Sequence, residues 1–259
     1  MILDTLAQST KIRVENEKKV ISSEQMKYDA LSMPKLNFDF EKSLRKDDIS
    51  FICEVKKASP SKGIIAEDFP YVQIAKDYET AGASAVSVLT EPEYFKGSTQ
   101  YLSEISENIN IPIIRKDFTV DEYMIYQART IGASAVLLIC AILDTETIRK
   151  YIDICDTLGL SALVEAHDET EIQSALKAGA RLIGVNNRNL KDFTVDINNC
   201  VNLRKLVPSD ITFVAESGIK TAEDIDVLRQ ANVNAVLIGE TLMRAENKTE
   251  ILAQLKGKK

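Results

Sequence analysis

The chain has 259 residues, of which 45% are hydrophobic and 27% charged, an ordinary globular composition with enough length for a sizeable core. A formal net charge of −7 argues against a general affinity for nucleic acid, though a local basic pocket for a small anion remains open. No apolar run approaches the roughly 20 residues that span a bilayer. The first residues lack a signal-peptide pattern. Cys53, Cys140, Cys155 and Cys200 are widely spaced, and with one histidine they make no zinc signature. A cytoplasmic protein is expected, with no metal, no membrane association and no nucleic-acid partner.

Residues 1–48 place Ile2, Leu3, Leu6, Ile12, Val14 and Val20 at loosely helical spacing among charges, with breaks at Ser22-Ser23-Glu24 and Met33-Pro34. A further short helix is expected over 38–44. This segment reads as a helical N-terminal extension packed on the main body, because no Gly/Ser-rich linker detaches it.

From residue 49 to 259, short apolar runs alternate with amphipathic helical patterns. The runs end near Lys56, Leu89, Arg115, Ile139, Glu165, Asn186, Ala215 and Ile238, with helical spacing between them over 72–78 and 122–128. Thr221 is placed to cap a helix with Asp224 at its third position. Gly82, Gly132 and Gly179 stand where helices give way to strands. Strand–helix alternation implies parallel strands with right-handed crossovers. Eight such units in about 210 residues fit an α/β fold, a (β/α)8 TIM barrel, in a single domain that includes the extension. The alternative, a doubly wound open sheet, loses its main support because no Gly-x-Gly-x-x-Gly follows a strand.

In such barrels the chemistry gathers at the C-terminal strand ends. Counting a period of two along each strand puts Ile52, Glu54 and Lys56 on one face. The same count pairs Ile114 with Lys116, Leu163 with Glu165, Gly184 with Asn186, and Val214 with Glu216. One register then points Lys56, Lys116, Glu165, Asn186 and Glu216 into the mouth. Any one of them alone reads as a structural ion pair, but five on one rim read as a site. Ser217-Gly218 and Gly239-Glu240, after the last two strands, can leave backbone N–H groups free for an anion, with the Glu240 side chain turned away. His167, in a loop opening a helix, reads as structural. The loop from Glu91 to Ser98 offers Tyr94 and Phe95 as an aromatic wall.

Longer motifs now stand out. Glu54-Val55-Lys56 with Ser59-Pro60-Ser61-Lys62-Gly63, Leu89-Thr90-Glu91 with Tyr94-Phe95-Lys96-Gly97-Ser98, and Ile114-Arg115-Lys116-Asp117-Phe118 resemble the indole-3-glycerol phosphate synthase family. So do Leu163-Val164-Glu165-Ala166-His167, 183–190 from Ile183 to Leu190, and Ala215-Glu216-Ser217-Gly218-Ile219. The likeness covers nearly the whole chain.

The resemblance implies a carbon–carbon lyase that closes the ring of 1-(2-carboxyphenylamino)-1-deoxyribulose 5-phosphate and removes carbon dioxide and water. It implies no cofactor, no metal and no obligate protein partner. Lys116 would be the general acid on the ketone and Glu165 the general base of the dehydration, with Lys56 assisting. Glu54, Asn186 and Glu216 would orient these groups. Arg188 would hold loop and substrate, and Ser59, Ser217, Gly218, Gly239 and Glu240 would bind near the anionic groups. Phe95, Phe118, Leu137 and Leu190 would line the ring pocket. Asn187 and Glu240 occupy positions where the family varies. Two lysines sharing a partly dry pocket would give one of them a lowered pKa suited to proton donation near neutrality.

Overall fold

The computed structural model describes residues 2–188 and 194–257. Three helices come first: α1 (Ile2–Val20), α2 (Ser23–Ser32) and α3 (Asp39–Leu44). There follow β1 (Ser50–Val55), the short β2 (Ala58–Ser59) and β3 (Gly63–Ile64), α4 (Tyr71–Thr80), β4 (Ala85–Leu89), α5 (Thr99–Ser106), β5 (Ile113–Lys116) and α6 (Tyr123–Thr130). The second half runs through β6 (Ala135–Ile139), α7 (Thr145–Leu158), β7 (Ser161–Ala166), α8 (Glu169–Ala178), β8 (Leu182–Asn186) and α9 (Ile197–Arg204). It ends with β9 (Thr212–Glu216), α10 (Ala222–Gln230), β10 (Ala235–Ile238), α11 (Glu240–Arg244) and α12 (Lys248–Leu255).

Eight parallel strands close into a barrel in the order β1-β4-β5-β6-β7-β8-β9-β10, with β10 pairing back to β1. This is the TIM barrel with an N-terminal helical segment that the alternation of apolar runs implies. The barrel strands are buried on both faces along nearly their whole length, which explains why they read as continuous apolar runs. The two faces serve different cores. Ile52, Ile114, Leu137, Leu163, Leu182 and Val214 fill the barrel interior, whereas Val86, Val136, Leu138, Val164 and Ile183 meet the helices outside. The period-of-two register thus holds around the barrel. Thr221 and Asp224 form a reciprocal capping box at the start of α10, and Gly82, Gly132 and Gly179 all adopt positive φ. The loop after β1 differs from a plain polar loop. It folds into an antiparallel hairpin in which Ser59 pairs with Gly63, whose φ of 65° supplies the turn.

The N-terminal segment touches the barrel at both ends. At the floor, Phe40 and Leu44 of α3 enter the interior cluster. Three polar contacts from this region fall at strand beginnings: the Glu41 N–H donates to Ser161 Oγ (3.2 Å), Arg45 Nε to Thr212 Oγ1 (3.3 Å) and Lys46 Nζ to Ser84 Oγ (3.1 Å). The approach is stitched by backbone bonds from the Leu36 N–H to the Leu158 carbonyl and from Phe38 N–H to that of Gly159, both 3.0 Å. Along the side, α2 lies on α6, with Arg129 Nη2 donating to the Pro34 carbonyl at 2.8 Å.

At the mouth, Arg13 of α1 grips the buried Asp117, one residue past β5. Its Nη2 lies 2.8 Å from both carboxylate oxygens, and Nη1 donates to the Thr90 carbonyl at 3.2 Å. Asp117 also accepts from Thr90 Oγ1 (2.5 Å) and Arg115 Nη2 (3.2 Å). Arg115 points away from the mouth into the strand–helix layer, where Nη1 donates to the Met124 carbonyl and to Gln127 Oε1. Among the described residues no helix is long and apolar enough to cross a membrane.

Arg13→Ala leaves a buried carboxylate short of its bidentate partner. A loss of roughly 2–4 kcal/mol in urea unfolding is expected, and Arg13→Lys should recover less than half of it, because one ammonium cannot serve the Asp117 carboxylate and the Thr90 carbonyl from two separate nitrogens.

Candidate active site

The C-terminal ends of the strands surround a cavity of about 710 Å³. Its wall includes Glu54, Lys56, Ser59, Phe95, Lys116, Phe118, Leu137, Glu165, Asn186, Arg188, Glu216, Ser217, Gly218, Gly239 and Glu240. The expected site residues within the described chain therefore converge on one space. Leu190 lies outside the described residues.

Strand pairing places the charged groups. Glu165 of β7 lies level with Gly184 of β8, and Asn186 level with Glu216 of β9. The missing side chain at Gly184 is what admits Glu216: a Cβ there would collide with Glu216 Oε1. Gly239 does the same for the other acid–base pair, since a Cβ would strike both Glu54 Oε1 and Lys56 Nζ. Lys56 and Glu54 form a close ion pair. Lys116 Nζ sits 3.3 Å from Glu165 Oε2 and 3.4 Å from Glu216 Oε2. Asn186 donates to Glu165 and accepts the Arg188 N–H at 3.0 Å.

The charge states follow from these neighbours. Burial pulls the Lys116 ammonium down, but Glu165, Glu216 and Glu54 outweigh it and hold the pKa above its ordinary value. This corrects the expectation of a lysine depressed by a second lysine. The Lys56 ammonium is engaged by Glu54, and carboxylates, not ammonium groups, surround Lys116. Glu165 is pushed up by burial, yet Lys116, His167 and the Asn186 bond together keep it below the usual carboxylate value. Glu216 goes the other way, pushed up to about 7 by burial and by Glu165 and Glu54 against the pull of Lys116. Its Oε1 is buried without a hydrogen-bond partner.

The apolar wall is also built locally. The Glu91 carboxylate accepts the N–H groups of Glu93, Tyr94 and Phe95 at 2.9, 2.7 and 3.0 Å, closing the loop that presents Phe95. Phe118, whose N–H donates to Asp117 Oδ1, faces it with ring centroids 6.1 Å apart. Tyr94 is not among the residues lining the cavity. Ile2, Leu3 and Leu6 of α1 complete the wall, a contribution that their helical spacing signals only as an apolar face.

At the opposite side Ser217 and Gly218 turn the chain with φ of 68° and 81°. Lys62, Lys220 and Arg244 line the cavity there and were not singled out from sequence. Lys62 lies inside the Ser-Pro-Ser-Lys-Gly motif, and Arg244 stands one helical turn beyond Glu240, so both had a signal. The Glu240 carboxylate lies 3.1 Å from Arg244 Nε and 3.6 Å from Lys62 Nζ, which hold its pKa down against the effect of burial.

Glu216→Gln removes a group whose folded pKa exceeds its unfolded value. Such a group contributes stability below the unfolded carboxylate pKa and loses it as pH rises through about 7. In urea unfolding the variant should be the more stable protein at pH 8, by on the order of 1–3 kcal/mol, and should lose less stability than the wild type between pH 4.5 and 8.

Comparison with known proteins identifies the family. The family model for indole-3-glycerol phosphate synthase matches residues 3–255. The chain is 60% identical over 258 residues to the indole-3-glycerol phosphate synthase of Ruminiclostridium cellulolyticum, covering 99% of each chain. It is 55% identical over 257 residues to that of Endomicrobium trichonymphae, covering 99% of this chain and 100% of the relative. Among solved structures, 3-hexulose-6-phosphate synthase superposes with a TM-score of 0.65 at 13% identity, covering 81% of this chain and 99% of that one. Thiamine phosphate pyrophosphorylase from Pyrococcus furiosus gives 0.60 at 16% identity, covering 81% and 94%. These structural likenesses show the barrel and nothing of the chemistry. With the family model spanning nearly every residue, and full-length relatives at 60% and 55% identity, the chain belongs to the indole-3-glycerol phosphate synthase family, carboxy-lyases of tryptophan biosynthesis.

Proposed function

We propose that Lys116 and Glu165 carry the acid and base steps by which the enzyme converts 1-(2-carboxyphenylamino)-1-deoxyribulose 5-phosphate to indole-3-glycerol phosphate. The observation that carries this assignment is the Lys116 ammonium held between Glu165 and Glu216 at 3.3 and 3.4 Å, in a mouth walled on one side by Phe95, Phe118 and Leu137.

Ring closure needs a donor at the ketone oxygen as negative charge develops there. A lysine whose pKa is held above normal is fully protonated at neutral pH and is therefore always loaded for that task. Attack by the ring carbon forms the carbon–carbon bond, and the carbonyl oxygen takes the Lys116 proton. Loss of carbon dioxide returns its electron pair to the ring. Dehydration then requires an acid at the departing hydroxyl and a base for the proton that leaves. Glu165, kept ionised by Lys116 and Asn186, suits the base. Lys56, paired with Glu54 beside Gly239, suits the assisting acid.

Glu54, Asn186 and Glu216 orient these groups. The anionic ends of the substrate match the side of the cavity where Lys56, Lys62, Lys220 and Arg244 stand with Ser59, Ser217 and the backbone at Gly218 and Gly239, and Arg188 lies beside them. The aromatic pair folds the substrate so that ring carbon meets carbonyl, a positioning task. The floor and rim contacts of α1–α3 support reading 1–259 as one domain. Four free cysteines are in keeping with a cytoplasmic enzyme.

The test is indole-3-glycerol phosphate formation by the wild type beside Lys116→Ala and Glu165→Gln. Each variant should lose roughly 100-fold or more in kcat, as expected for removal of a general acid or base. Activity within a few-fold of wild type in either would remove that residue from its role.

A further inference from the structure

We propose that His167 is a positioning residue for the reaction, clamped by Glu171 on one side and on the other holding one oxygen of Glu165 so that the second is turned toward Lys116. The proposal rests on the reading of Glu165 as the base.

The geometry is a chain of three side chains leading from the helix surface into the mouth. Glu171 stands in the first turn of α8, where Asp168 caps its N–H at 2.9 Å. Its Oε2 accepts the His167 backbone N–H at 2.7 Å and meets imidazole Nδ1 at 3.0 Å. On the far side of the ring, Nε2 stands 3.4 Å from Glu165 Oε1, within ion-pair distance. That nitrogen is buried and has no hydrogen-bond partner. Glu165 thus divides its two oxygens, Oε1 toward His167 and Oε2 toward Lys116. The His167 backbone is anchored as well, because Asn199 Nδ2 of α9 donates to the His167 carbonyl at 3.2 Å.

The groups acting on the ring are mostly acidic. They are Glu165 at the end of its own strand, Glu216 from β9 and Glu171 from α8. The Cys140 thiol feels Glu171, Glu165 and Asp168, which with burial push it up to about 12, so it is neutral. Beyond Glu165 the nearest cation is Lys116. Burial lowers the imidazole pKa, but the glutamates outweigh it and raise it. An imidazolium here lowers the pKa of Glu165 in return. The sign is therefore fixed: the cation is present below its raised pKa and lost as pH rises through it. Because Glu165 is ionised throughout that range, what is lost on the alkaline side is the attraction that orients its carboxylate.

A purely structural histidine would use Glu171 only to cap the loop, and the two roles separate experimentally. His167 is the single histidine of the 259 residues, so tag-free protein has one imidazole to follow by NMR titration. Its midpoint should lie above 6.5 in the wild type. It should fall by roughly half a unit or more in both Glu171→Gln and Glu165→Gln, each of which removes a facing charge.

In kinetics, His167→Gln should lower kcat about tenfold with KM within about twofold, the pattern of a lost transition-state contribution. The alkaline decline of kcat should move to lower pH in Glu171→Gln and vanish in His167→Gln, whereas a decline caused by Glu216 would persist. Glu171→Gln keeps an oxygen for the His167 N–H and decides the matter if His167→Gln does not fold. Unchanged pH profiles in these variants beside an inactive Glu165→Gln would overturn the role of His167 alone. Full activity in Glu165→Gln would overturn the base assignment and this inference with it.

Discussion

One buried ammonium organises this protein. Lys116 lies in the mouth of the barrel with Glu165 and Glu216 at salt-bridge distance and Glu54 close behind. Charges removed from water are costly unless each finds a partner, so none of these side chains keeps its present state without the others. The arrangement is not an economical way to stabilise a fold. Glu216 is left with one oxygen unpartnered and a pKa near 7, and Gly184 and Gly239 surrender side chains so that carboxylates can occupy their space. Such local expense is expected where geometry serves a reaction.

Holding that cluster steady falls partly to residues far away in the chain. Asp117 follows Lys116 directly and is fixed by Arg13, Thr90 and Arg115, so α1, the loop after β4 and α6 converge on the strand end that carries the lysine. At the other end α3 enters the barrel floor with Phe40 and Leu44. The first 48 residues run from rim to floor along α6. A displacement of the lysine by a fraction of an ångström would change its partition among three carboxylates, which gives this strap a bearing on chemistry as well as on stability.

The same barrel carries other reactions in proteins that share only 13% and 16% identity with this chain. Shape of that kind is common to many activities. In this chain the strand ends carry two lysines set among the carboxylates of Glu54, Glu165 and Glu216.

Much of this was legible in the order of residues. Alternating apolar runs and amphipathic helices determined the barrel, because the periods of two and 3.6 are local properties that survive in any tertiary setting. The same period of two put Lys116, Glu165, Asn186 and Glu216 on the inner face. The Thr221–Asp224 cap was readable for the same reason. The hairpin after β1 was not, since two-residue pairs leave no periodic trace. Nor were the grip of Arg13 on Asp117, the place of Leu3 in the cavity wall, or the opposite shifts of Glu165 and Glu216. Two glutamates at matching strand ends look alike in sequence, and a lysine near a lysine suggested a depressed pKa. Only the closed barrel decided that Lys116 faces carboxylates, that His167 leans on Glu165, and that the Glu216 pKa is pushed up while that of Glu165 is held down. Electrostatic character depends on distance and burial among residues tens of positions apart, and those are set when the sheet closes.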